Sequence, residues 1–169
     1  FGLCPSCLWD WMQTTELGKI YYQKQFIPKS KRNGEKRQKQ QDKAQREANK
    51  TISQLIQEAR KPFQKWIRMR DANKACISCG TTTSEIWDAG HYYKAEIYTG
   101  LIFHVTNVHK QCRKCNGYLG GNEIGYRKGL VKRYGVDYVE IMEKNADTFR
   151  NKKFTREELK EIKQYYQTK

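Results

Sequence analysis

Two Cys-x-x-Cys pairs, Cys76/Cys79 and Cys112/Cys115, stand with 32 residues between them. Each pair makes a tight knuckle that aims two sulfurs at one point, and together they supply the four thiolates of a tetrahedral Zn²⁺. Each thiolate must lose its proton to bind, so the metal becomes part of the folding free energy. The spacer is longer than in a plain zinc ribbon. A working insert is therefore expected between the knuckles. It holds His91, Asn107 and His109, and Asn116 follows Cys115 directly.

The formal net charge is +15, from 33 Lys and Arg against 18 Asp and Glu. A surplus of this size points to a polyanionic partner, nucleic acid ahead of an acidic membrane surface, with a solvated basic surface as the plain alternative. Only 37% of residues are hydrophobic, so part of the chain is expected to be an exposed arm. No apolar run is long enough to span a bilayer, and no basic-then-apolar leader opens the chain. An intracellular protein without a membrane partner is expected. All six cysteines fall in Cys-x-x-Cys pairs, which in a reducing compartment suggests metal rather than disulfides. The first residue is Phe1 rather than Met, as in a processed form or the tail of a longer chain.

The order of segments suggests three parts: residues 1–23, a basic arm over 24–70, and a zinc-bound domain with C-terminal helices over 71–169. In the first, Cys4 and Cys7 form a third knuckle. They read as half of a second zinc ribbon first, and otherwise as a redox pair or two inert thiols. Trp9, Trp11, Met12 and Leu17 resemble the apolar face of a short helix. Residues 24–50 carry ten Lys and Arg against three Asp and Glu, too polar to bury a core of their own. They suit a basic arm, a helix that forms on phosphates, or a solvated linker. From Ala44 a helical stripe runs through Leu55, Ala59, Phe63 and Ile67. Pro62 inside it is expected to kink the helix or start a new one. Arg60, Lys61, Lys65 and Arg68 fall on its exposed side as candidate nucleic-acid contacts, and the apolar side is expected to pack on the zinc module.

Beyond the first knuckle, 84–93 and 101–109 read as strands, rich in β-branched and aromatic residues. Asn122 can cap a helix over 123–134, with Gly135 past its end. Asp137-x-x-Glu140 and Thr155-x-x-Glu158 read as capping boxes. The fold class expected is therefore α+β. Lys110, Arg113 and Lys114 surround the closing knuckle, as phosphate contacts or plain surface charge.

His91, Asn107 and Asn116 make a His-x15-Asn-x8-Asn pattern that resembles the HNH, or His-Me finger, nucleases. That resemblance implies a zinc-stapled ββα-metal core holding one Mg²⁺ or Mn²⁺ against a phosphodiester. It implies His91 as general base, Asn107 as the brace of the hairpin and Asn116 as a ligand of the catalytic metal. A neutral imidazole can take a proton from water, and a hard cation stabilises the developing phosphate charge. Many members carry Asp or His before the base, whereas here that residue is Gly90. Asp88 is the first candidate for the second ligand, if the strand bulges at Ala89-Gly90, ahead of His109 or water.

The blocks CISCGT, WDAGHYY, NVHKQC, CN and GGN, preceded by FQKWIRMRD, resemble more narrowly the phage NinG (Rap) recombination family. This implies a structure-specific endonuclease cutting branched DNA such as Holliday junctions, in the cytoplasm of a bacterial host. A homodimer would suit cutting of a symmetric junction. The alternative class is a non-catalytic zinc module that binds DNA and positions recombination proteins. An RNA-cutting nuclease is a further rival.

Overall fold

The computed structural model describes residues 2–169. They form two compact units, one ending at Lys50 and the other spanning Thr51–Lys169.

In the first unit, α1 (Pro5–Thr14) opens with Pro5 and is capped by Cys4, whose sulfur accepts from the Cys7 amide at 3.3 Å. Thr15 caps α2 (Glu16–Tyr21) by accepting from Gly18 N at 3.0 Å. The corner is tight: a Cβ at Gly18 would stand 2.0 Å from the Trp11 carbonyl oxygen. Met12 is buried, and Trp9 packs edge-on to Tyr22 and Phe26. Leu17 is 75% exposed instead of sharing that apolar face, because the break at Thr15 places it in a second helix. A π-helical stretch, Tyr22–Phe26, leads into α3 (Ile27–Ala48), which buries no side chain. Arg32, Lys36, Lys39 and Lys43 lie along one side of it, at helical steps of four, three and four.

The second unit opens with a capping box. Thr51 Oγ1 accepts from Gln54 N at 3.2 Å and Gln54 Oε1 from Thr51 N at 2.8 Å, starting α4 (Ile52–Arg70). The stripe read from Ala44 is therefore divided between two helices, and the boundary expected after residue 70 falls after Lys50. The physical reason is burial. Leu55, Ala59, Phe63 and Ile67 sit in the cores of the second unit. Pro62 neither ends nor begins a helix. α4 runs through it, forgoing one backbone hydrogen bond on a helix held by packing on both sides of the proline.

β1 (Trp87–His91) and β2 (Val108–Cys112) pair antiparallel, from Trp87 opposite Cys112 to His91 opposite Val108. The first strand is shorter than expected and the second begins seven residues later. Leu101 and Ile102 are buried from a 3₁₀ turn and the turns after it, so their apolar density reflects core packing rather than a strand. Alternation sorts the hairpin. Ala89 and Val108 pack on Phe63 and Ile67 of α4. Gly90, His109 and Gln111 look the other way, where His109 meets Tyr126 and Tyr134 of α5 (Glu123–Tyr134).

Asn122 caps α5 as expected, in left-handed backbone at φ 43°, and accepts from Gly125 N at 3.3 Å. Gly125 and Gly129 bring this helix onto the first knuckle: Cβ atoms there would stand 2.3 Å from Ser78 O and 1.9 Å from Ile77 O. Gly135 is the single residue before α6 (Val136–Asn145). Asp137 thus lies inside the first turn and forms no capping box. Thr155 and Glu158 do form one, opening α7 (Arg156–Gln167), whose Leu159 and Tyr166 pack against α4. The fold is α+β, mostly helical, with one two-stranded sheet, in the second unit, among the described residues. No described helix is long and apolar enough to cross a membrane.

Candidate functional site

The four sulfurs of Cys76, Cys79, Cys112 and Cys115 all lie within 4.8 Å of one another, with Cys79 and Cys112 Sγ 3.8 Å apart. Ligands about 2.3 Å from a tetrahedral Zn²⁺ stand about 3.8 Å from each other, so the cluster can hold a metal ion. Cys112 N donates to Cys76 Sγ at 3.3 Å and Asn122 Nδ2 to Cys115 Sγ at 3.4 Å. Such outer bonds orient ligands. Burial pushes the Cys115 thiol up to about 12, so its deprotonation needs a cation in the cluster. Cys4 and Cys7 remain a pair. They are exposed, with sulfurs 2.9 Å apart, and no third ligand joins them among the described residues.

His91 ends β1, and its Nε2 lies 3.1 Å from the Ile102 carbonyl oxygen. A carbonyl only accepts, so Nε2 carries the hydrogen and Nδ1 keeps a free lone pair. Burial holds this imidazole down at about 4, with the Arg60 charge acting in the same direction and the Ile102 bond and Glu96 opposing. Arg60 stands on α4, and its Nε is buried without a hydrogen-bond partner. His91 also borders a cavity of about 250 Å³ with Tyr93, Lys94, Tyr98, Gly121 and Glu123.

Asn107 is fully buried. Its Oδ1 accepts from Tyr93 N at 2.8 Å, and its Nδ2 donates to Tyr93 O and Leu101 O, each at 3.1 Å. These bonds fasten the loop that carries the Ile102 carbonyl, so Asn107 shapes the seat of His91.

Asn116 stands in a π-helical stretch, Lys114–Tyr118, just past the second knuckle. Its Nδ2 donates to Asp88 Oδ2 at 3.1 Å, and Arg113 Nη2 pairs with Asp88 Oδ1 at 3.0 Å. The bulge that would turn Asp88 toward a shared metal is absent, because the ladder runs unbroken through Ala89 and Gly90. Without a bulge, Asp88 still lies beside Asn116, on the sheet face that it shares with Gly90 and Gln111, and its carboxylate is engaged by Asn116 and Arg113. His109 is not available as a ligand. Tyr126 Oη donates to Gly90 O at 2.8 Å, so His109 Nδ1 must donate to Tyr126 Oη at 3.1 Å. Its Nε2 then accepts from Tyr134 Oη at 2.8 Å.

Lys110, expected on phosphate, is only 6% exposed. Its Nζ donates to Ala72 O at 2.7 Å and lies over the Trp87 ring. Its amide donates to Asp71, a buried carboxylate that also pairs with Arg70, Lys74 and Arg133. Lys110 is thus a structural residue, because β2 is buried along its whole length. Arg113 and Lys114 are exposed, as are Lys61 and Lys65, while Arg60 and Arg68 are half-buried. A cleft of about 510 Å³ behind the first knuckle adds Lys74, Lys128, Lys132 and Arg133. The i, i+4 spacing of Lys128 and Lys132 was the available signal for it.

A family model described as Bacteriophage Lambda NinG protein matches residues 4–169. The chain belongs to the NinG family. Protein ninG of Escherichia phage lambda is 43% identical over 122 residues, which cover 72% of this chain and 58% of that protein. Protein ninG of Salmonella phage P22 is 42% identical over 122 residues, covering 72% and 59%. The chain thus spans a little under three fifths of these family members' length. No solved structure matches it.

Proposed function

We propose that this NinG-family chain is a metal-dependent DNA endonuclease of the HNH type, braced by a structural Zn²⁺ on its four clustered cysteines. Its preferred substrate is branched DNA in phage recombination. The observation that carries this reading is the fixed tautomer of His91. With Nε2–H tied to the Ile102 carbonyl, Nδ1 is a preset acceptor for a proton from water, and the lowered pKa keeps it unprotonated at neutral pH. The order β1, β2, α5 suits a ββα frame.

As water attacks phosphorus, His91 Nδ1 takes its proton, and the Ile102 carbonyl keeps the charged ring in place. Arg60, whose charge acts on His91 and whose Nε has no hydrogen-bond partner, suits a phosphate oxygen. Asn116, held by Asp88, would bind Mg²⁺ or Mn²⁺ through its amide oxygen. When bound, that ion stabilises charge on the phosphate and the leaving 3′ oxygen. In-line displacement puts attacking and leaving oxygens on opposite sides of phosphorus, and neighbouring residues Gly90 and His91 look to opposite faces of their strand. Lys61, Lys65, Arg68, Arg113 and Lys114 would follow the DNA backbone.

The test is cleavage of labelled four-way, flapped and linear duplex DNA in Mg²⁺ or Mn²⁺, by wild type and His91→Ala. Wild type is expected to cut branched DNA, and the variant to bind it with cleavage reduced at least about a hundredfold. Binding without cleavage by both would replace this reading with a zinc module that only positions DNA. Matched RNA substrates separate an RNA nuclease.

A further inference from the structure

Gly90 leaves a bare spot beside the proposed base, and two amide oxygens converge on it. A Cβ built there would stand 2.0 Å from Gln111 Oε1 and 3.0 Å from Asn116 Oδ1. Both oxygens are identified by the partners of their nitrogens. Gln111 Nε2 donates to Gly121 O and Ser78 Oγ, each at 2.6 Å, and a carbonyl can face only a donor. Asn116 Nδ2 faces the Asp88 carboxylate. Neither amide can be flipped without setting oxygen against oxygen.

Gln111 is fully buried, yet its Oε1 has no hydrogen-bond partner. Such orphans are rare in folded proteins. A Cα–H contact with Gly90 is too weak to account for one. A hard divalent cation is a partner that needs an oxygen lone pair and offers no clash of donors. The strand register places Gln111 directly opposite Asp88, whose charge lies next to the same spot. The loop at Gly121 holds Gln111 and also borders the His91 cavity.

We infer that Gln111 is a ligand of the catalytic Mg²⁺ or Mn²⁺, its carboxamide oxygen filling with Asn116 the place left open at Gly90. This rests on the nuclease reading above for the use of the cation. It gives Gly90 a reason beyond packing, since any side chain there would displace the ligand. Two neutral amides bind weakly alone, so phosphate and water oxygens complete the shell in the DNA complex.

The test begins with the zinc-loaded full chain, ¹⁵N-labelled and titrated with Mg²⁺. The side-chain amide signals of Gln111 and Asn116 are expected to shift together with one midpoint, and Mn²⁺ to broaden both. Asn116 shifting while Gln111 stays, or neither shifting, overturns the inference. Next, Gln111→Ala should weaken Mn²⁺ binding, read by electron paramagnetic resonance, by about tenfold or more. Gly90→Asp on top of it should restore binding, because its carboxylate enters the vacated space. Unchanged Mn²⁺ binding by folded Gln111→Ala overturns the assignment even if wild type cuts DNA. Joint shifts in a protein that cuts nothing keep the cation site and remove the nuclease reading. If thermal unfolding shows Gln111→Ala to be unfolded, the wild-type titration decides alone.

Discussion

His91 and His109 are both neutral, but their surroundings assign them different work. His91 has one nitrogen tied and one bare, whereas both nitrogens of His109 are held by tyrosine hydroxyls. For His91 the consequence is kinetic. On the nuclease reading proposed above its neutral form is required, so cleavage should fall as pH drops through about 4. The Arg60 charge helps hold that value down, so Arg60→Gln should slow cleavage and move the acid limb of the rate profile to higher pH. An unmoved limb would mean that Arg60 does not face the base. For His109 the consequence is stability. Its folded value is about 3, against about 6.5 in an unfolded chain. As pH falls the unfolded chain takes the proton first, so stability is full above about 6.5 and is lost toward about 3. His91 adds the same sign of change down to about 4. Urea midpoints measured from neutral pH downward should fall across this window, and His109→Gln should flatten the fall while lowering the midpoint at neutral pH.

At the scale of elements, α5 fixes the distance between the first knuckle and the hairpin. Gly129 lets the helix approach until a Cβ would stand 1.9 Å from the Ile77 carbonyl. Gly129→Ala must therefore push helix and knuckle apart. It should destabilise the second unit by about 1–3 kcal/mol and lower the metal content found by elemental analysis. An unchanged unfolding midpoint with full metal content would show that the contact yields freely. The ends of α5 were legible because Asn122 and Gly135 carry the chemistry of helix caps, and the cysteine spacing foretold the cluster. The start of β2 was not, since Leu101 and Ile102 are apolar for a core they enter from turns. Gln111 was equally silent. A glutamine between Lys110 and Cys112 has no marked spacing, and its role depends on the gap across the sheet at Gly90. Asp88 was legible by type and offset, but its partners Asn116 and Arg113 were not, since they depend on the register and on the turn after the second knuckle.

At the scale of the molecule, the +15 charge is distributed unevenly by function. Inside the second unit several cations have internal duties: Lys110 caps a carbonyl, and Arg70 and Arg133 neutralise Asp71. α3 has no such duty, for it buries nothing. A helix without a packed face keeps its shape through weak local pairs, so a stripe such as Arg32, Lys36, Lys39 and Lys43 remains free to meet phosphates. If that is its function, each contact releases counterions, and the logarithm of affinity falls with the logarithm of salt by about 0.9 per phosphate neutralised. Replacing these four residues by glutamine should weaken binding at low salt and reduce that slope by about 3.6 if each meets one phosphate, while the cleavage rate at saturating protein stays the same. Anisotropy titrations on four-way DNA over a range of salt concentrations measure both quantities. An unchanged slope would leave α3 as a solvated spacer. It would then place the grip on the second unit, where Lys61 and Lys65 on α4 and the cleft of Lys128 and Lys132 are the next stripes to neutralise.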